Sequence, residues 1–159
     1  MKTISIFSKT DIELNIVTKN NIDLLEIDSK NEIINKNKII SNNKIAVICD
    51  DLTWNSLQGI FDVTYISANI NLNEFIPENF DMLLCDTVWN GIDNSWKFEF
   101  SKFKKNNKLD KIINAFKKQN IPVVLYNKED PTHFETFKNV YFLFFTIITS
   151  DDNLINDYK

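Results

Sequence analysis

Nine residues, Tyr126-Asn127-Lys128-Glu129-Asp130-Pro131-Thr132-His133-Phe134, bring together two carboxylates, an ammonium, an amide and the only histidine of the chain. A carboxylate beside a lysine can accept a proton from a hydroxyl, while the ammonium steadies an anion or holds a neighbouring carboxylate ionised. Glu129, Asp130 and His133 are therefore the candidate catalytic groups, with Asn127 and Lys128 as candidate substrate contacts. A structural duty competes for one of them. Asp130 is placed to N-cap a helix with Pro131 at its first position, and Thr132 to Glu135 has capping-box spacing.

A second segment, Trp89-Asn90-Gly91-Ile92-Asp93-Asn94-Ser95-Trp96, holds two of the three tryptophans and one of the two glycines. Indole faces beside short polar side chains suit sugar rings, whose CH faces stack and whose hydroxyls need partners. Trp96 is the candidate stacking face, with Asn90, Gly91, Asp93 and Ser95 as further substrate contacts; Trp89, nearer the preceding apolar run, is expected in the core. A third segment, Asp50-Asp51-Leu52-Thr53-Trp54-Asn55-Ser56, reads first as a capped helix with acids in its opening turn. Asp50 and Asp51 with Asp86 and Lys128 also match, loosely, the acids and lysine of a response-regulator receiver, a cluster able to bind Mg²⁺ and accept a phosphoryl group.

Each segment follows a short apolar run, and in open α/β sheets ligands gather where loops leave the carboxyl ends of strands. Strands are expected at Ile45–Cys49, Val63–Ile66, Met82–Cys85, Val123–Leu125 and Phe145–Ile148. Helices are expected at 51–58, at 132–140, and around Leu109, Ile112, Ile113 and Phe116, which share one face. Strands alternating with helices imply βαβ crossovers and a mostly parallel, Rossmann-like sheet. Residues 44–159 form that domain; residues 1–43, with Glu13-Leu14-Asn15-Ile16-Val17 and Asp23-Leu24-Leu25-Glu26-Ile27 between polar turns, are expected to form a small antiparallel β meander packed on it.

Composition narrows the function classes. The 159 residues carry 43% hydrophobic content, enough for one real core. A formal charge of −4 argues against a general nucleic-acid binder, and the Lys102, Lys104, Lys105 and Lys108 cluster reads as a solvated face. No apolar stretch reaches the roughly 18 residues of a membrane helix and no signal peptide is evident, so a cytoplasmic protein without a transmembrane segment is expected. Cys49 and Cys85 close apolar runs and read as reduced core thiols, with no metal-ligand spacing nearby. No phosphate-binding glycine loop or Gly-x-Ser-x-Gly turn is present, and no motif demands a cofactor.

Taken together, the segments resemble bacterial glycosyltransferases related to the spore-maturation protein CgeB. The resemblance runs from about Lys44 to Lys159. It rests most on Ile121-Pro122-Val123-Val124-Leu125-Tyr126-Asn127-Lys128-Glu129-Asp130-Pro131-Thr132-His133-Phe134, with support from Ile48 to Ser56, from Asp81 to Trp96 and from Phe145 to Asp151. It implies one half of a GT-B fold, the acceptor-side domain of an enzyme acting on cell-surface polysaccharide or teichoic acid. A nucleotide sugar would be held by a C-terminal domain missing from this chain, which alone would not turn over; the acceptor would be a saccharide or polyol, and no metal or other cofactor is implied. A non-catalytic interaction domain and a divergent receiver are the alternatives.

Overall fold

A computed structural model describes residues 43–158, together with the backbone of residues 3–6, 14–17, 22–25 and 41–42. In chain order the elements are β1 (Thr3–Ile6), β2 (Leu14–Val17), β3 (Ile22–Leu25), β4 (Ser41–Ile48), α1 (Asp51–Leu57), β5 (Phe61–Tyr65), β6 (Met82–Asp86), α2 (Lys108–Lys118), β7 (Val123–Asn127), α3 (Phe134–Phe137) and β8 (Thr146–Thr149). Five parallel strands run in the order β5-β4-β6-β7-β8, giving the expected α/β, Rossmann-like sheet. The chain first steps from β4 to β5 on one side, then crosses to β6 on the other. The switch point of the sheet therefore lies between β4 and β6, the position beyond whose strand ends open α/β sheets bind their ligands.

At the N-terminus β1 runs parallel beside β8 rather than in an antiparallel ribbon, while β2 and β3 pair antiparallel in a separate sheet. Most of the meander expected over 1–43 falls outside the described residues.

The central strands are apolar on both faces because both faces are covered. On one face Ala46, Ile48, Leu83, Cys85 and Leu125 pack with Leu109, Ile112, Ile113 and Phe116 of α2 and with Trp96, Phe100, Phe137 and Phe144. On the other, Ile45, Val47, Met82, Leu84 and Val124 meet Phe61, Trp54 and Leu57. This alternation is the period of two that a pleated strand imposes. α2 starts where the Asn107 side chain accepts from the Asp110 N–H at 2.9 Å, and its last turn carries Lys117 and Lys118, which complement the helix dipole.

Two local expectations are corrected. The helix expected at 132–140 is a single α turn, α3, continued as a 3-10 helix over Lys138–Leu143. Phe134, Phe137, Val140 and Leu143 recur every three residues, and only a helix with three residues per turn lines them up on the core. The tail, expected to open another helix, makes a 3-10 turn at Asp152–Leu154 and folds back, so that Tyr158 is buried against Tyr141, with ring centroids 4.7 Å apart.

Candidate functional site

Asp50 follows β4 and caps α1 by accepting from the Thr53 N–H at 3.1 Å. Asp86 closes β6 and Lys128 follows β7, so the register of the three central strands brings their ends together. The Lys128 ammonium lies 2.6 Å from a carboxylate oxygen of Asp50 and 2.6 Å from one of Asp86. Thr53 donates its hydroxyl to Asp86 at 2.6 Å and accepts from Lys128 at 3.2 Å. Asp86 is fully buried, and its Oδ1 has no hydrogen-bond partner among the described residues.

The electrostatics follow from depth. Burial pushes Asp86 up to about 7, with Lys128 and Thr53 pulling against it and Asp50 adding to it. Asp50 is more open; burial acts upward on it too, but hydrogen bonds from Lys128 and from the Thr53 N–H bring it below its ordinary value. Lys128 is held above the usual lysine range because the two carboxylates outweigh its own burial. Behind them Cys49 is pushed up to about 12 by burial and by Asp86 and Asp50, so it stays a thiol and is no nucleophile at neutral pH.

A few residues along the same strand edge lies a more open group. Trp89 keeps 43% of its surface exposed and stands edge-on to His133, with ring centroids 5.2 Å apart, and to the buried Phe137 at 5.1 Å. The His133 Nε2 is 3.8 Å from a Glu129 carboxylate oxygen, one helical turn away in sequence. An aromatic face, an imidazole and a carboxylate on one accessible surface can stack on an apolar ring face and accept or donate hydrogen bonds to hydroxyls.

Asp130 is separated from Glu129 and His133 by burial. Its Oδ2 accepts from Thr149 and from the Tyr158 hydroxyl, and its Oδ1 lies 2.7 Å from the Asn127 side-chain nitrogen. That nitrogen is also 2.7 Å from the hydroxyls of Tyr141 and Tyr158; having two hydrogens, it donates to two of its three neighbours at a time. The Asn127 Oδ1 accepts from Thr87 at 3.0 Å and from the Glu129 N–H at 3.2 Å. Asn127 and Asp130 therefore tie β7 to β8 and the tail, which leaves neither free to meet substrate. The capping role expected of Asp130 is not seen: His133 occupies the N-cap position of α3, without a side-chain capping bond, and a cis peptide joins Asp130 to Pro131.

The tryptophan loop also divides differently from expectation. Trp96 is fully buried and donates its indole N–H to the Ile66 carbonyl at 2.9 Å, so it has no face for a ligand; Trp89 is the exposed ring. Gly91 adopts φ of +73°, and an added Cβ would come within 2.7 Å of Trp96 Cδ1 and of the Tyr65 hydroxyl. Asp93 accepts from the Tyr65 hydroxyl at 2.7 Å and from the Ser95 N–H at 3.1 Å, and Ser95 accepts from the Ala68 N–H at 2.9 Å. Burial acts upward on Asp93, but hydrogen bonds from Ser67, Ser95 and Tyr65 bring it down to about 2. These residues lock the loop to the strand end. Asn90 is exposed, and its carbonyl accepts from the Trp96 N–H at 2.9 Å.

Three contributors had no separate signal in the sequence. Thr53 looks like one more residue of a capped helix, and the phenols of Tyr141 and Tyr158 reach the site only through long-range folding. No group of three or more His, Cys, Asp or Glu residues able to hold a metal occurs among the described residues, and no helix there is long and apolar enough to cross a membrane. The chain matches no protein-family model, no curated protein and no solved structure.

Proposed function

We propose that this chain is the acceptor-side half of a cytoplasmic GT-B-type glycosyltransferase acting on cell-surface polysaccharide or teichoic acid. The single observation that carries the reading is the half-exposed Trp89 ring against His133, with Glu129 beside them, at the carboxyl edge of a parallel sheet. In this scheme Trp89 stacks on a saccharide or polyol acceptor and His133 hydrogen-bonds it. Glu129 accepts the hydroxyl proton as the acceptor oxygen attacks the anomeric carbon of a nucleotide sugar, and the nucleotide diphosphate leaves. The sugar nucleotide is held by a further domain or partner, so this chain by itself binds acceptor without turning it over. Asp130 and Asn127 serve the reaction by fixing the loop that carries Glu129.

The test is a titration of the chain with short surface-type oligosaccharides and polyol phosphates, followed by tryptophan emission and by thermal stability. Saturable binding that weakens about tenfold in Trp89→Ala and also weakens in Glu129→Gln supports the reading. Binding untouched by both substitutions, or none to any member of the panel at millimolar concentration, sinks it.

A second reading is favoured by one specific feature. The strand order places Asp50 and Asp86 at the switch point with Lys128 between them, as a phosphoryl-accepting receiver would need. Against it, Asp86 is wholly enclosed by Thr53 and Lys128, and a carboxylate must be open to attack phosphorus. Mg²⁺-dependent labelling of Asp86 by acetyl phosphate would replace the first reading with this one.

A further inference from the structure

Away from the strand-end site, the chain concentrates lysines in one stretch of sequence and sets exposed aromatic rings against it. Between Lys97 and Lys118 there are eight lysines against two acids, in a chain whose formal charge is −4. Phe98, Phe142 and Phe145 are 47%, 64% and 67% exposed. Two of the three are paired with lysines: the Lys102 ammonium lies 4.0 Å from the Phe98 ring centre and that of Lys97 5.3 Å from it. Phe103, one residue after Lys102, meets Phe142 edge-on at 5.7 Å. Phe145 follows three residues later with the Lys117 ammonium 5.2 Å from its ring.

Phe98 has a second peculiarity. Its φ is +68°, a backbone conformation that bulky side chains avoid, and the surrounding turn holds it there with the ring in solvent. Strain kept at an exposed aromatic points to a surface that has a use.

We infer that this surface docks the protein on an anionic lipid membrane, with Phe98, Phe142 and Phe145 entering the headgroup boundary and the lysines pairing with acidic headgroups. Charge complementarity selects the partner. The Lys102 and Lys117 ammonium groups lie over the Phe98 and Phe145 rings, so cation and apolar ring are presented together, as suits a boundary with hydrocarbon on one side and anions on the other. An apolar protein partner would have to desolvate those ammonium groups without repayment. A nucleic-acid groove would be expected to offer ring faces open to bases, whereas the Phe98 and Phe145 rings carry lysines over them. The inference is independent of the acceptor reading, because none of these residues belongs to the strand-end site.

The experiment is co-sedimentation of the whole chain with vesicles of phosphatidylcholine alone and of phosphatidylcholine mixed with phosphatidylglycerol. Binding is expected only to the mixed vesicles and is expected to fall with added salt. Lys102→Gln with Lys117→Gln should weaken it about 25-fold, at about fivefold per lysine. Phe142→Ser with Phe145→Ser should abolish it while leaving the far-ultraviolet circular dichroism unchanged. Equal binding to both vesicles, no binding to either, or binding unaltered in both variants overturns the proposal. So does a self-associated chain that leaves vesicles unbound, or equally tight retention on a single-stranded nucleic acid column.

Discussion

Replacing Lys128 by methionine removes the one cation that two carboxylates share, and the cost can be worked out from the burial of each partner. Asp86 is enclosed, with Oδ1 unpartnered, so an ionised Asp86 without its ammonium should cost about 3–5 kcal/mol, the usual penalty for breaking a buried pair. The side chain has an escape, which is to take up a proton. Burial already pushes it up to about 7 against the pull of Lys128, and losing that pull drives it higher still. The sign follows from linkage: a folded-state pKa above the unfolded value of 3.8 means the folded chain holds the extra proton, so stability falls as pH rises towards the folded pKa. Lys128→Met should therefore differ modestly from the parent at pH 5 and progressively more towards pH 9. The slope is limited to about 1.4 kcal/mol per pH unit for one proton. At about 2–4 °C per kcal/mol for a domain of this size, the full effect is roughly 6–20 °C in Tm. Urea unfolding followed by tryptophan emission at several pH values measures it, and Lys128→Met with Asp86→Asn should recover most of the loss at pH 9. A gap below about 1 kcal/mol at pH 9, or one indifferent to pH, would refute the argument that Asp86 is a buried charge held by Lys128.

Other outcomes follow from the same geometry. Gly91→Ala places a methyl group 2.7 Å from the immobile Trp96 ring at positive φ, and should destabilise by about 2–4 kcal/mol in thermal melts; an unchanged Tm would mean the loop is not locked. Tyr158→Phe removes a hydroxyl donor from Asp130 and should cost about 1–3 kcal/mol, read by urea unfolding, with no direct effect on a stacking ligand. Trp89→Ala should weaken saccharide binding about tenfold while costing under about 1.5 kcal/mol in stability, because its ring is half in solvent; the reverse pattern would make Trp89 a core residue. In the parent chain, the raised pKa of Asp86 makes its own contribution to stability decline between about pH 4 and 7, opposite to a surface-paired carboxylate, and Asp86→Asn should flatten that part of the pH profile.

The apolar runs at Ile45–Cys49, Met82–Cys85 and Val123–Leu125, and the shared face of Leu109, Ile112, Ile113 and Phe116, made the parallel sheet and α2 legible from local pattern alone. Periods of two and 3.6 are set by backbone geometry, and burial on both faces confines polar residues such as Asp86 and Asn127 to the ends of the central strands. The capping of α1 by Asp50 was legible for the same reason, since an N-cap is a bond to a residue three positions on. The nature of the helix after His133 was harder to read. Its apolar period of three differs from 3.6 by only about 0.6 residue per turn, and packing decided between them.

The candidate site shows the same division. Residue types at three strand ends are a property of the sequence, and so is the concentration of unusual chemistry after β6 and β7. Which of them face solvent was decided by tertiary structure. Trp96 went to the core because the Ile66 carbonyl lay within reach of its indole N–H, and Trp89 stayed out beside His133. Asp130 became the centre of a buried network because Thr149 and Tyr158, 19 and 28 residues away in sequence, converge on it. The Asp50–Lys128–Asp86 contact depends on strand order and register, in which no single segment has a say. Local propensity and periodicity act over a few residues and are written in the chain itself; convergence, burial and the charge states that follow from burial exist only once distant strand ends have been brought together.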